Sequence, residues 1–246
     1  MQLVPSGRSL AIGIALVLVA IGLYGLARET SLFAVDTIEV DGGSPPVAEQ
    51  IRRALRSYEG NSLAAVNADE VEQRVEELPT VHSAVVDRAF PHALQIRIEP
   101  EVPVAVLRRG GQAWLVSARG RVIGLSRRGA QPELPRIWLP LRTEIQVGAL
   151  LGDEPGGLAA RSMAAFVGSG FPDRIAFVRA ADGRLALGLR GGLEIRLGAP
   201  VDLRLKIAIV RGILPTLAPP AAGGPDYLDV AVPERPVAGR NPQPEG

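Results

Sequence analysis

Residues 90–107 read FPHALQIRIEPEVPVAVL. Leu94, Ile96 and Ile98 alternate with Gln95, Arg97 and Glu99, the period of a strand with one buried face. A second apolar run follows to Leu107, yet Pro100 and Pro103 stand between the two. A proline has no N–H to give to a ladder, so it suits a strand end, an edge or a bulge. The spacing therefore divides the pairing here, and the flanking sequence has to say what lies on either side.

Upstream, residues 33–43 (FAVDTIEVDGG) read as a strand closed by a glycine turn. Ser44 is placed to cap a helix whose first turn takes Pro45 and Pro46, where a missing N–H costs little. Val47, Ile51, Leu55 and Tyr58 fall on one face, and Gly60 ends that helix. Asn67 followed by Glu70 makes a capping-box-like start for a second helix, with Val71, Val75 and Leu78 as its apolar stripe and Pro79 as its stop. Asp69, Glu70, Glu72, Glu76 and Glu77 crowd this helix. They read as a solvated face whose first-turn acids suit the helix dipole, in preference to a catalytic carboxylate pair. Val81 to Arg88 forms the next strand, and Phe90-Pro91-His92 turns the chain into the alternating one. The order is β-α-α-β-β, a small α+β domain.

Downstream, residues 112–125 (QAWLVSARGRVIGL) read as two strands around Arg119-Gly120. Proline-marked strand edges follow near Leu134 to Leu141, and a short helix fits Leu158 to Val167. Residues 175–198 hold three strands punctuated by Asp182-Gly183 and Gly191-Gly192, both hairpin signals. Leu203, Ile207, Val210 and Leu217 recur at helical spacing. The final strand is Tyr227 to Val232 (YLDVAV), before a Pro- and Gly-rich tail, residues 234–246, that reads as disordered.

At the amino terminus, nineteen uncharged residues run from Ser9 to Ala27 behind a short tail, residues 1–8. As a helix they span roughly 28 Å, close to a bilayer's hydrocarbon thickness. Gly25-Leu26-Ala27 also offers a signal-peptidase-like site, but the apolar run exceeds a usual signal core, which favours a retained anchor in the lipid bilayer. Arg8 and the α-amino group point the amino terminus into the cytoplasm and the bulk outside the inner membrane.

Composition removes several classes of chemistry. The chain of 246 residues has no cysteine, which excludes disulfides, thiolate metal sites and a Cys nucleophile. Net charge is +1 with scattered arginines, so no field gathers nucleic acid. His82 and His92 are the only histidines and lack ligand spacing, so no metal is expected. Gly168-Ser169-Gly170 is not a nucleophile elbow, no serine stands three residues before Lys206, and no phosphate loop is present. The reading is a non-enzyme without cofactor or small-molecule substrate.

A resemblance adds to this. Anchor, β-α-α-β-β domain and β-rich domain, in that order, look like the bacterial cell-division family FtsQ, called DivIB in Gram-positives. The resemblance rests on IEVDG (38–42), GNSL (60–63), LPTV (78–81) with Ala84, Val86 and Arg88, Phe90-Pro91, PVA (103–105), the Leu187–Gly198 hairpin, Lys206 in its helix, and YLDV (227–230). Pro100 departs from it, standing where many members carry glutamate. The resemblance implies an α+β fold with a POTRA-like (polypeptide-transport-associated) domain over residues 33–101 and a β domain over 102–233. The seam at Pro100 and Pro103 then separates the two. It further implies a divisome scaffold at the septum that binds FtsB/DivIC-like and FtsL-like single-pass coiled-coil proteins and links them to septal wall synthesis. A partner strand would add to the edge formed by Tyr227, Leu228, Asp229, Val230, Ala231 and Val232. The same alternation also fits a strand that only completes the core. Lys206, the only lysine, reads either as an ordinary surface residue or as a further partner contact. An alternative function keeps the POTRA-like domain as an envelope module handling exported polypeptides.

Overall fold

The alternation of Leu94, Ile96 and Ile98 becomes the central strand of a three-stranded sheet. The computed structural model describes residues 7–29, 33–127, 129–167, 169, 171 and 175–241. Strand β1 (Thr37–Asp41) is followed by helices α2 (Pro45–Leu55) and α3 (Ala68–Glu76), then by β2 (Val81–Ala89) and β3 (Ala93–Pro100); α1 (Gly7–Glu29) precedes them. The order across the sheet is β1-β3-β2, with β3 parallel to β1 and antiparallel to β2. Leu94 and Ile96 are fully buried against Ile51 and Leu55 of α2 and Val71 and Val75 of α3. Gly42, in IEVDG, has φ +95° and lies so close to Ile98 O that a Cβ would fall 2.1 Å from it. Only glycine meets both conditions.

Both helix starts differ in detail from expectation. Ser44 occupies the N-cap position of α2 in extended conformation, but its side chain makes no capping hydrogen bond, and Pro45 and Pro46 carry the first turn. Asn67 accepts from Asp69 N at 3.2 Å, yet Glu70 does not turn back to complete a capping box. Glu70 accepts instead from the Tyr58 hydroxyl at 3.0 Å. Burial, and then this bond, raise the Tyr58 phenol above its ordinary range. The acids of α3 are also more than a solvated face. Glu72 accepts from Val86 N at 2.8 Å and Glu76 from Ala84 N at 3.1 Å, both on β2.

The two prolines of the seam stand at strand ends. Pro100 is the last residue of β3, opposite Val81, and Pro103 is the first of β4 (Pro103–Arg109), next to a register shift in its pairing. Contacts divide the chain into two compact units, Met1–Pro100 and Glu101–Gly246.

The second unit continues with β5 (Gln112–Ser117), β6 (Val122–Leu125), β7 (Arg136–Trp138), α4 (Pro155–Ser162), β8 (Ile175–Ala181), β9 (Arg184–Leu189), β10 (Glu194–Gly198), α5 (Leu203–Ile213), β11 (Tyr227–Asp229) and β12 (Val237–Gly239). These strands form one sheet ordered β12-β11-β10-β9-β8-β7-β4-β5-β6. Its buried face carries Leu107, Ile137, Val178, Leu187, Ile195 and Leu228, clustered with Ala159 and Ala160 of α4 and Ile207 and Val210 of α5. The β8–β9 hairpin turns at Asp182 (φ 49°) and Gly183 (φ 68°), the geometry that an Asp-Gly pair favours. Helix α4 starts at Pro155, ahead of the expected Leu158. A Cβ on Gly156 would fall 2.2 Å from Leu139 Cδ2, so these glycines let the helix approach closely despite their low helical propensity.

Two apolar helical stretches bear on the membrane. The apolar run of α1 includes Ala11–Gly22, and every side chain described there is exposed. By length and composition alone, Leu203–Ala222 is also long and apolar enough to cross a membrane. That stretch is not one helix: it comprises α5, two 3-10 turns and an extended residue at Leu217. Lys206, Ile207 and Val210 are buried, and the latter two belong to the sheet's core cluster, so it is part of the second unit.

Candidate partner-binding edge

Residues 227–232 do not form the terminal strand that their alternation predicts. Only Tyr227–Asp229 is strand, and it is paired on both sides: parallel to β10 and antiparallel to β12. The expectation of a disordered tail over 234–246 is corrected as well, because Val237–Gly239 folds back as β12; residues 242–246 lie outside the described residues. The second unit's ordered structure thus runs past residue 233. Leu228 and Val230 are buried in the core, and Val230 N donates to Arg196 O at 2.8 Å. These two residues complete the core, while Val232 is 55% exposed beyond the strand. The physical reason for the difference is that the chain turns between Pro233 and Pro236 and pairs the next three residues antiparallel to β11.

Side chains clamp this return. The Arg196 guanidinium sits 3.9 Å from the centroid of the Tyr227 ring, a cation–π contact worth about 0.5–1 kcal/mol at a partly exposed site. Its Nε donates to Glu194 Oε1 at 3.0 Å and its terminal nitrogen to Asn241 Oδ1 at 2.8 Å. Arg179 pairs with the same Glu194 at 3.2 Å. Asn241 N donates to Asp226 Oδ2 at 3.0 Å, and Asp226 N to Gly239 O at 2.8 Å. Gly239 crosses over Tyr227, where a Cβ would fall 2.5 Å from the hydroxyl. Arg196, Asn241, Asp226 and Gly239 thus fix β12, and none of them is marked by the period of the sequence. A three-residue strand between Pro236 and Arg240 has too few positions to show alternation.

Lys206 is not at this edge. It is 2% exposed and donates to Leu197 O and Ala199 O, each at 2.8 Å. Its reading as a surface residue or partner contact is corrected: the ammonium group satisfies backbone carbonyls where β10 ends. Of the seven residues expected to bind a partner, the structure places Tyr227, Asp229, Ala231 and Val232 near solvent. His92 lies in the turn before β3, with Nδ1 3.3 Å from Ala34 O. No group of three or more acids and histidines among the described residues is arranged to hold a metal ion.

The family model described as POTRA domain, FtsQ-type, matches residues 33–99, the three-stranded unit. That stretch of the chain is similar to FtsQ-type POTRA domains, and curated relatives from several bacteria carry the name cell division protein FtsQ. The chain is 33% identical over 118 residues to the cell division protein FtsQ of Streptomyces venezuelae, covering 47% of this chain and 43% of that one. The Corynebacterium glutamicum FtsQ is 29% identical over 115 residues, covering 47% and 51%. The Streptomyces collinus FtsQ is 24% identical over 244 residues, 91% of this chain and 84% of that one. The chain thus spans about half the length of the first two relatives. Its structure is mixed α+β, with residues 33–99 matching the FtsQ-type POTRA domain.

Proposed function

We propose that this chain belongs to the FtsQ family and is a non-enzymatic scaffold of the divisome, held in the inner membrane by α1 with its amino terminus in the cytoplasm. It binds small single-pass coiled-coil proteins of the FtsB/DivIC and FtsL type and links them to septal wall synthesis. The observation that carries the reading is β12, which ends the nine-strand order and, among the described residues, pairs on one side only. A strand end of this kind is a template for a further strand. Short edges offer few backbone bonds, each worth about 0.5–1.5 kcal/mol net. Side chains must add to the affinity, and Val237 and Val232, both more than half exposed, stand beside the edge. The clamp of Arg196, Tyr227 and Asn241 keeps β12 in place, so the partner adds to it instead of displacing it.

Proline placed in turn at Val237 and Ala238 tests this. Successive N–H groups of a strand point to opposite edges, so one substitution removes a bond to β11 and the other an outward donor. The outward one is expected to leave the melting temperature within about 2 °C and to weaken binding of an FtsB-type extracytoplasmic segment by about tenfold or more. Unchanged binding by both variants would move the interface away from β12.

A further inference from the structure

The acids of α3 have a role that the scaffold function does not use. We infer that Glu72 and Glu76 close the β2 edge of the POTRA unit to strand addition, and that without them a second copy of this chain would pair β2 against β2. This concerns the first unit alone and does not rest on the β12 reading.

In the sheet order β1-β3-β2, the outer side of β2 is an edge. Ala84 and Val86 stand two residues apart, and their N–H groups face outward to the carboxylates of Glu76 and Glu72. The two glutamates are four residues apart on α3, a helical rise of roughly 6 Å, while two strand residues span roughly 6.8 Å. The repeats match, so one helix face presents two acceptors to successive outward donors. An incoming strand would have to bring its own carbonyls to the same two donors. It would meet charge already seated there, and displacing a charge-assisted bond opposes its own gain. On the opposite edge, Arg52 Nε donates to Ile38 O of β1 at 3.3 Å.

The strand behind the glutamates suits a second copy. Ala84, Val85 and Val86 form an uncharged segment, and Val85 is 49% exposed between the two blocked donors. Pairing about Val85 sets Ala84 against Val86 of the other copy twice over, an isologous arrangement that closes as a dimer. Because Ala84 and Val86 would exchange the hydrogen bonds, the two Val85 residues would form the non-bonded pair, with Cα atoms about 4.5 Å apart. That distance is within disulfide reach. The same closure speaks against this unit capturing exported polypeptides by strand addition at β2.

The test uses the full chain in detergent with Val85→Cys, which supplies its only thiol because the sequence has no cysteine. Under a copper–phenanthroline oxidant this parent is expected to stay largely monomeric. Adding Glu72→Ala and Glu76→Ala should raise cross-linked dimer at least tenfold. Glu72→Gln with Glu76→Gln should fall between the two, because a carboxamide oxygen still accepts from the same N–H but carries no charge. In dilute samples lacking Val85→Cys, the Ala84 and Val86 amides should exchange about tenfold faster in the alanine pair, with Leu94 and Ile96 unchanged. Equal cross-linking in parent and alanine pair, high or low, would overturn the inference. Equal loss of protection at all four amides would too, since the glutamates would then only hold the unit together.

Discussion

Leu94→Asp or Ile96→Asp is expected to unfold the POTRA unit. Both side chains are fully buried on the central strand, between α2 and α3. Removing the leucine side chain alone costs about 2–5 kcal/mol. A carboxyl group left there without a partner adds about 1–3 kcal/mol when protonated, and more when ionised. Small domains hold only about 5–15 kcal/mol in total, and this unit sits at the low end of domain sizes. The check is hydrogen exchange on a soluble chain from residue 33 to 241. Amides of β1, β2 and β3 should lose protection while those of β8, β9 and β10 keep theirs. Val85→Asp, half-exposed on the neighbouring strand, should change stability by no more than about 0.5 kcal/mol. Native protection in β3 of the Leu94→Asp chain would mean that the buried face is the other one.

How far this fold is legible in the sequence depends on where the stabilising contacts come from. β3 can be read because its burial follows directly from a period of two, and the Asp182-Gly183 hairpin because a left-handed turn needs those residue types. The seam is legible for the same reason, since proline removes a donor wherever it stands. Helix α4 is harder to read: its glycines argue against a helix locally, and only close approaches explain them, Gly156 to Leu139 and Gly157 to Gly152 O. At the candidate site, Tyr227 and Leu228 show their strand, but β12 is created by the β11 edge and by side chains distant in sequence, Arg196 above all. Alternation in YLDVAV is equally consistent with an open edge and with a paired core strand, and the structure resolves this toward the core for Leu228 and Val230. Val230→Pro would therefore remove a bond to Arg196 O inside the core and report on folding, which makes β12 the better place for a binding test. The glutamates on α3 illustrate a similar limit, since a helical wheel shows them outward without revealing the strand donors beside them.

Lys206→Ala is expected to destabilise the second unit strongly, and Lys206→Met by less. The side chain runs from α5 into the protein, and its ammonium group reaches two carbonyls that flank Gly198. Gly198 has φ +65°, and the β9–β10 register shifts there, so Leu197 O and Ala199 O fall outside the regular ladder. Methionine keeps most of the volume but gives nothing to the carbonyls, leaving groups whose loss of partners costs about 1–3 kcal/mol. Alanine loses the packed stem as well, and deleting a buried side chain of this size adds about 2–4 kcal/mol. At roughly 2–4 °C per kcal/mol for a chain of this length, the methionine variant should melt several degrees below the parent and the alanine variant lower still. Partner binding measured below both transitions should be unchanged, because Lys206 faces the core and not the β12 edge. A partner contact would give the opposite result, with weaker binding at an unaltered melting temperature, and that outcome would return Lys206 to the interface.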